Sequence, residues 1–444
     1  MRKITLIILL LFKISGFSQF SESQIIDSNI NSNILEIIGL DRDGDNLKDI
    51  IAGQYSGQIN WYKNTGQGNF NSPQVIPSSV VRPRFFDKAD VDSNKIEDLL
   101  ITDNNGNNSK IAVIKFPFNT ETIIDSNIPI ACVKSFFVDF DADSDMDIVA
   151  CCDLMITLYL NDGFGNFGQR NIISSGEEYY NMTVGNFNND NYTDLAILSS
   201  NGTEVYYNST ALGLNSPILI VTDLHSFIQS ADLNNDNYVD VFVKANNSLT
   251  CDTYLNSNNG VFTLFENQSY FSGETQYDPV QFSKLNNDNY FDIVYADETH
   301  KLAWRSNNGS GHLNNKSILE ANKFIRNVYC FDIDNDGDND IIWYGIDTAN
   351  NNQRQLGLIN NTTFLNTISF SNHTSKLYPN PAHDFIVIEN GKKSIDYIEI
   401  INSNGQIIKT ANEIKLNVSD LSCGFYFVKI FFEGNTEIKK WVKN

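Results

Sequence analysis

Residues 332–341 read DIDNDGDNDI, and residues 41–50 read DRDGDNLKDI. In both stretches an aspartate occupies positions 1, 3, 5 and 9, and an apolar residue follows. Oxygen side chains on alternate residues of a tight loop converge on one point, which suits a hard cation with many oxygen ligands, above all calcium. The pattern therefore predicts calcium-binding loops that lead directly into β-strands.

This nine-residue pattern occurs seven times, roughly every 49 residues. The copies begin at Asp41, Asp90, Asp139, Asn186, Asp232, Lys284 and Asp332. A repeat of this length indicates one supersecondary unit used seven times, in which each copy covers the apolar face of its neighbour.

Each repeat contains four short apolar segments. In the third copy, FFVDF (Phe136–Phe140) precedes the loop, and DIVACC (Asp147–Cys152) and ITLYL (Ile156–Leu160) follow it. A Gly/Asn turn and a fourth segment, such as SPQVI (Ser72–Ile76), complete the unit. Four strands per unit are typical of a propeller blade, and no segment shows sustained helical periodicity. We therefore expect an all-β fold, a seven-bladed β-propeller.

The N-terminal segment suggests how the ring closes. IIDSNI occurs at Ile25–Ile30 and again at Ile123–Ile128, where the second blade needs its outer strand. By analogy, the first copy is an outer strand that pairs with the last blade and removes an open sheet edge. The alternative is that Thr363–Phe370 supplies this strand.

Composition and charge limit the function classes. The net charge of −23 argues against nucleic acid as a partner, because phosphate binding requires a basic face. Residues 1–18 have the basic start, apolar run and small-residue cleavage site of a signal peptide. No other stretch is long and apolar enough to span a bilayer. The six cysteines have no regular spacing, and we expect most of them to be buried free thiols.

The last part of the chain differs in character. Residues 371–376 form a short polar linker, and residues 377–444 contain alternating apolar segments separated by Asn-Gly and Gly turns. This pattern predicts a small immunoglobulin-like β-sandwich. The ordered motifs, from LYPNP at residues 377–381 to IKKWVKN at residues 438–444, resemble the type A C-terminal sorting domain of the type IX secretion system. The resemblance implies contact with that secretion machinery and delivery to the outer cell surface or the medium.

The repeats resemble the FG-GAP/VCBS family, the calcium-loop blades of integrin α propellers and many secreted bacterial proteins, over residues 19–370. In that family the side chains at positions 1, 3, 5 and 9 and the carbonyl of position 7 hold a structural Ca²⁺. The resemblance implies six metal sites with these ligands: Asp41, Asp43, Asp45, Leu47 and Asp49 in blade 1; Asp90, Asp92, Asn94, Ile96 and Asp98 in blade 2; Asp139, Asp141, Asp143, Asp145 and Asp147 in blade 3; Asn186, Asn188, Asp190, Tyr192 and Asp194 in blade 4; Asp232, Asn234, Asp236, Tyr238 and Asp240 in blade 5; Asp332, Asp334, Asp336, Asp338 and Asp340 in blade 7.

Ligand charge ranks these sites. Blades 1, 3 and 7 have four carboxylates and are expected to bind tightest, whereas blade 4 has two and is expected to be weak. In blade 6 we expect an empty or weaker site, because Lys284 stands at position 1. The alternative is that the loops are only Asx-rich turns held by hydrogen bonds from the side chains to the backbone.

No nucleophile elbow, zincin helix or phosphate loop is visible, so we expect a non-catalytic binding or adhesion module. The face opposite the metal loops is the candidate surface for a glycan or protein ligand, ringed by Arg84, Tyr179, Tyr180, His225, Tyr277 and Arg326. A carbohydrate-active enzyme that uses His225 with Glu177 or Glu178 is the alternative, and a purely structural surface component is the third reading.

Overall fold

The computed structural model describes residues 19–106, 108–128, 130–210, 213–245, 250–257, 260–269, 280–286, 288–362, 376–389, 397–402, 407–422, 424–432 and 435–443. The signal peptide predicted at residues 1–18 and most of the predicted linker lie outside these ranges. The chain divides into two compact units between residues 363 and 364. All regular structure in the described ranges is β-strand, and none of it is a helix of the length and apolarity needed to cross a membrane.

The first unit is a ring of seven four-stranded antiparallel sheets, as the repeat pattern predicts. After β1 (Gln24–Asp27), the first three blades are built from β2 (Ile34–Leu40), β3 (Asp49–Gln54), β4 (Ile59–Tyr62) and β5 (Gln74–Ile76); β6 (Pro83–Ala89), β7 (Asp98–Asp103), β8 (Ser109–Lys115) and β9 (Thr120–Ile128); and β10 (Cys132–Val138), β11 (Asp147–Cys152), β12 (Met155–Tyr159) and β13 (Asn171–Ser175).

Blade 4 contains a small additional hairpin before its outer strand. Its strands are β14 (Tyr179–Gly185), β15 (Asp194–Ser199), β16 (Gly202–Tyr206), the hairpin β17 (Asn208–Thr210) and β18 (Gly213–Leu214), and β19 (Ile218–Val221). Blades 5, 6 and 7 are built from β20 (His225–Ala231), β21 (Asp240–Ala245), β22 (Thr250–Asn256) and β23 (Phe262–Ser269); β24 (Val280–Ser283), β25 (Asp292–Ala296), β26 (Leu302–Arg305) and β27 (Ser317–Glu320); and β28 (Phe324–Phe331), β29 (Asp340–Asp347) and β30 (Gln353–Ile359).

The second strand of each blade explains the apolar runs of the sequence. All six residues of β3, β7, β11 and β15 are buried, because each blade packs against a neighbour on both faces. The apolar clusters accordingly span two blades at a time: one joins Ile37 and Tyr62 of blade 1 to Ile342 and Tyr344 of blade 7. A strand buried on both sides reads as a continuous hydrophobic run instead of an alternating one.

The N-terminal segment closes the ring, and this prediction is confirmed. β1 pairs antiparallel with β30, so that the sheet order of blade 7 is β1-β30-β29-β28. Before β1, the backbone N–H of Ser21 donates to the carbonyl of Asn360 at 2.9 Å, and the Phe20 ring packs edge-on to Trp304 of blade 6 at 5.2 Å. The competing segment, residues 363–370, lies outside the described ranges.

The expectation that most cysteines are free thiols needs one correction. Cys132 and Cys152, on neighbouring strands of blade 3, form a disulfide. The sequence separation of 20 residues gave no hint of this, because antiparallel pairing of β10 with β11 sets the two residues directly opposite each other. Cys151 and Cys251 are buried free thiols, and Cys330 is a partly buried one.

The second unit is a two-layered β-sandwich. One sheet contains β31 (Lys376–Tyr378), β32 (Phe385–Glu389) and β35 (Lys415–Asn417); the other contains β33 (Tyr397–Asn402), β34 (Ile407–Ala411), β36 (Gly424–Phe432) and β37 (Asn435–Lys443). Alternate residues of the facing strands, including Ile386, Ile398 and Val428, form its core around the buried ring of Trp441.

Candidate functional site

Each candidate metal loop joins the first strand of a blade to the second. In blade 1 the position-1 carboxylate of Asp41 accepts hydrogen bonds from the backbone N–H groups of Gly44 at 2.8 Å and Asn46 at 2.8 Å. Asn46 at position 6 has a φ of 65°, and six of the seven residues at this position have a positive φ, Asn191 being the exception. The left-handed residues turn the chain tightly, as the Asn and Gly content predicts.

In four loops the carboxylates converge. Their acceptor oxygens lie within 4.8 Å of one another in Asp41, Asp43 and Asp45 of blade 1; Asp90, Asp92 and Asp98 of blade 2; Asp139, Asp141 and Asp143 of blade 3; and Asp332, Asp334 and Asp336 of blade 7. Each of these loops has three or four carboxylates at positions 1, 3, 5 and 9. The loop of blade 5 also has three, but its carboxylates are not among the converging groups of the described residues.

Several of these oxygens have no hydrogen-bond donor although they are shielded from solvent. They are Oδ1 of Asp43, Asp92, Asp139, Asp141 and Asp334 and Oδ2 of Asp336. A buried carboxylate oxygen without a donor is costly, and several of them aimed at one point repel each other. A divalent cation would satisfy them together, so the residues of these loops fit a calcium ion.

The position-9 aspartate has a second role that sequence reasoning missed. In blade 1, Asp49 is fully buried and accepts N–H donors from Asn64 at 2.8 Å and from Arg42, at loop position 2, at 3.3 Å. The same arrangement recurs at Asp98, Asp147, Asp194, Asp240, Asp292 and Asp340. Burial raises the pKa of these carboxyls to between about 6 and about 8. The aspartate therefore ties the loop to the end of the third strand.

A buried asparagine then connects that strand to the loop of the preceding blade. Asn161 of blade 3, whose N–H binds Asp147, donates from Nδ2 to the carbonyl of Val91 in the blade 2 loop at 3.0 Å. Equivalent contacts are made by Asn64 to Ile333, Asn208 to Phe140, Asn256 to Phe187, Asn307 to Leu233 and Asn361 to Leu285. Blade 2 has Phe116 at this position and is the exception. The loops between first and second strands are thus part of six blade junctions.

Blade 1 contains an internal cation that the repeat pattern does not reveal. The ammonium of Lys63, after the third strand, forms ion pairs with Asp43 and, at 3.0 Å, with Asp45. These hydrogen bonds raise the pKa of Lys63 above its usual value. A signal was present, because a lysine follows the third strand of blade 1 where blades 3 and 7 have Leu160 and Asn360.

The loops ranked as weaker differ in their hydrogen bonds. In blade 4 the amide of Asn188 donates to Asp190 Oδ2 at 2.8 Å, and in blade 5 the amide of Asn234 donates to Asp236 Oδ2 at 2.9 Å. The equivalent position-5 oxygen of blade 7, Asp336 Oδ2, has no donor. In blade 6 the ammonium of Lys284 lies 5.1 Å from the ring centroid of Phe291.

The candidate ligand face lies where the first strands begin, opposite the loops. Arg326 and Tyr180 are exposed there, and Arg84 is half-buried beside Glu36. Tyr179 and His225 are only 1% and 3% exposed, so these two are not available to a ligand on this face. Tyr277 lies outside the described ranges. Burial occurs because each blade packs the first residue of its inner strand against a neighbour.

His225 does not have the partner proposed for catalysis. Its Nδ1 lies 3.0 Å from the hydroxyl of Thr203, and its Nε2 lies 3.6 Å from the carboxylate of Asp252. Burial lowers the pKa of the imidazole below its usual value. Glu178 instead accepts a hydrogen bond from Tyr180, and Glu177 accepts one from Ser200.

Comparison with known proteins agrees with this architecture. The FG-GAP-like repeat family matches residues 41–101, 139–197 and 284–343, and the secretion system C-terminal sorting domain family matches residues 376–444. The chain therefore is an FG-GAP-repeat β-propeller with a C-terminal sorting domain. That domain marks it for export by the type IX secretion system to the cell surface or the extracellular space. A search of curated proteins gives no match.

Solved propellers share the fold at low sequence identity. A lectin from Agrocybe aegerita that recognises non-reducing terminal N-acetylglucosamine aligns with a TM-score of 0.52 and 16% identity, over 65% of this chain and 81% of its own. The BP39L lectin from Burkholderia pseudomallei has a TM-score of 0.55 and 15% identity, over 71% and 94%. BBS1N, crystallised with ARL6DN, has a TM-score of 0.53 and 11% identity, over 77% and 97%. All three identities are below 25%, so the likeness concerns the fold alone.

Proposed function

We propose that this protein is a calcium-stabilised binding module that acts outside the cell, on a glycan ligand at the cell surface or in the medium. The calcium part rests on one observation above all: shielded carboxylate oxygens without donors converge in the loops of blades 1, 2, 3 and 7. Asx turns alone do not explain these oxygens. An Asx turn uses a carboxylate oxygen that accepts a backbone N–H group, whereas these oxygens have no donor.

The role of the ion in this proposal is structural. The position-9 aspartate connects its loop to the third strand, and at six blade junctions a buried asparagine connects that strand to the loop of the preceding blade, as Asp147 and Asn161 do. An ion that fixes the loop therefore also fixes the blade junction. Because a ligand that binds only the folded state stabilises it by mass action, calcium raises the unfolding temperature.

Calorimetric titration of residues 19–444 with calcium tests this part. Asp141→Asn, in the blade 3 loop, is expected to remove or weaken one high-affinity site by about 10-fold or more, since ligand charge sets affinity. Asp420→Asn is the matched control, because Asp420 is an exposed acid of the sandwich unit that pairs with Lys409. Absence of calcium binding by the unaltered chain, or equal titrations for both variants, would refute the proposal.

Binding is favoured over catalysis by the state of His225, the histidine considered for catalysis. A general base must reach its substrate, and His225 is buried against Thr203 and Asp252. Exposed Tyr180 and Arg326 suit recognition of a polar ligand. Two of the similar solved propellers are lectins, which supports a glycan as the ligand.

A glycan and peptide array, probed with residues 19–444 with and without a chelator, tests the binding part. Retention of a glycan without its breakdown is the expected result. Depolymerisation of a retained polysaccharide would favour the enzyme instead. Silence toward every glycan and peptide would favour a scaffold without a ligand.

A further inference from the structure

The first strands of the blades place a layer of side chains around the central channel. These residues stand five positions before each repeat begins, nearer to the mouth opposite the metal loops. In the described ranges they are Glu36, Phe85, Lys134, Asn181, Phe227 and Asn327. The layer contains one ammonium, one carboxylate and two aromatic rings, an unusual content for a position that only packs blades together.

Lys134 reaches into the channel instead of packing into its own blade. Its ammonium lies 5.4 Å from the ring centroid of Phe85 in blade 2 and 5.6 Å from that of Phe227 in blade 5. The ring of Phe136, on the same strand as Lys134, lies at 5.9 Å. Phe85 and Phe136 also contact each other edge-to-face at 5.0 Å. Phe227 belongs to a blade two places away, so the three rings around the ammonium come from three different blades.

This ammonium has no acceptor among the residues that the structure describes: no hydrogen bond or ion pair within 4.0 Å satisfies its three N–H groups. The carboxylate that attracts it, Glu36, accepts the backbone N–H of Ile37 at 3.1 Å and lies near Arg84 as well. Enclosure lowers the pKa of Lys134 to about 8. The residue is only partly buried and its Nζ keeps contact with solvent, so an anionic ligand in the channel can replace that water.

Two arginines stand close to this layer of side chains. Arg84 and Arg326 stand one residue before the layer, at the start of the first strands of blades 2 and 7, and Arg326 is exposed. Lys134 and Arg84 both lie near the carboxylate of Glu36, and Arg326 lies over the ring of Phe324 at 5.1 Å. A local group of positive charges attracts anionic groups even on a protein of net charge −23.

Resting on the proposed glycan-binding function, we infer that the channel mouth binds the carboxylate of an acidic sugar. Lys134 supplies the counter-ion, Arg84 a second donor, and the rings of Phe85, Phe136 and Phe227 contact the C–H face of the sugar. Aromatic rings with a positive group suit a ligand that has one apolar face and one charged substituent.

Binding of galacturonate and glucuronate oligosaccharides to residues 19–444, measured by calorimetry, tests the inference. Neutral glucose oligosaccharides and sodium acetate are the comparison ligands. We expect binding of a uronate oligosaccharide that weakens with added salt, and a loss of about 10-fold or more in Lys134→Met. Lys134→Arg is expected to retain most of the affinity, because it keeps the charge.

Lys110→Met is the matched control. Lys110 lies on the same side of blade 2 outside the channel, where it donates to the carbonyl of Ser79 at 3.2 Å, so the substitution removes the same charge from the same face. Equal thermal midpoints of the variants show that folding is intact. Equal uronate affinity in Lys134→Met and Lys110→Met would overturn the inference, and so would acetate binding as tightly as the oligosaccharide.

Other outcomes separate the inference from the proposed function. Binding of neutral oligosaccharides that does not depend on Lys134 refutes the acidic sugar and leaves the glycan-binding module in place. Absence of binding to any acidic or neutral glycan refutes both.

Discussion

Asn161→Ala is expected to destabilise the junction between blades 2 and 3. The side chain is 8% exposed; its Nδ2 donates to the carbonyl of Val91 at 3.0 Å, and its Oδ1 accepts the N–H of Gly165 at 2.9 Å. Alanine leaves a buried carbonyl and a buried N–H without partners. Each unsatisfied group costs about 1–3 kcal/mol, so the free energy of unfolding should fall by about 2–6 kcal/mol in total.

Urea unfolding in calcium, followed by the fluorescence of the propeller tryptophans such as Trp343, measures this loss. Asn166→Ala is the control, because Asn166 is exposed in the same turn and donates only to Asp162 at the surface. Its expected cost is below about 1 kcal/mol. Equal midpoints for the two variants, at an unchanged slope, would refute the claim that the buried asparagine holds neighbouring blades together.

Three further outcomes are expected. In chelator, Lys63→Met should lower the thermal midpoint, because the carboxylates of the blade 1 loop then repel each other without a nearby cation. In calcium, it should raise the midpoint relative to the unaltered chain, because the ion no longer competes with the ammonium. A lower midpoint in both conditions would show that Lys63 has only a structural role. Glu36→Gln should stabilise the protein more at pH 8 than at pH 5. Burial raises the pKa of Glu36 from 4.5 to about 7, so ionisation of this carboxyl costs stability as the pH rises through that window. The gain in the free energy of unfolding should be about 1–3 kcal/mol at pH 8, measured by urea titration. Replacing both Cys132 and Cys152 by serine should cost about 2–4 kcal/mol, measured with and without reductant; no change would show that the bridge is dispensable.

The repeat made much of the architecture predictable. A period near 49 residues with four apolar segments leads to seven four-stranded blades, and IIDSNI at Ile25–Ile30 correctly placed the closing strand at the N-terminus. The loop aspartates at positions 1, 3 and 5 converge in blades 1, 3 and 7 as their alternation requires. Such features are local, because spacing along a few residues fixes how a turn directs its side chains.

Contacts across blades were not predictable in the same way. The sequence shows Asn161, Lys63 and Lys134 as ordinary polar residues. In the structure, Asn161 binds the preceding blade, Lys63 pairs with carboxylates of the blade 1 loop, and Lys134 stands in the channel. It also suggested free thiols where Cys132 and Cys152 pair, and an accessible His225 that the ring buries.

By itself, the sequence determined the repeating unit, the number of blades, the oxygen-rich loops and the sorting domain, since each is encoded within one stretch of chain. Only the tertiary structure decided which carboxylates keep oxygens without donors, which asparagines join neighbouring blades and which lysine faces the channel. The physical reason is that these properties depend on residues tens to hundreds of positions apart, and ring closure alone brings such residues within hydrogen-bonding distance.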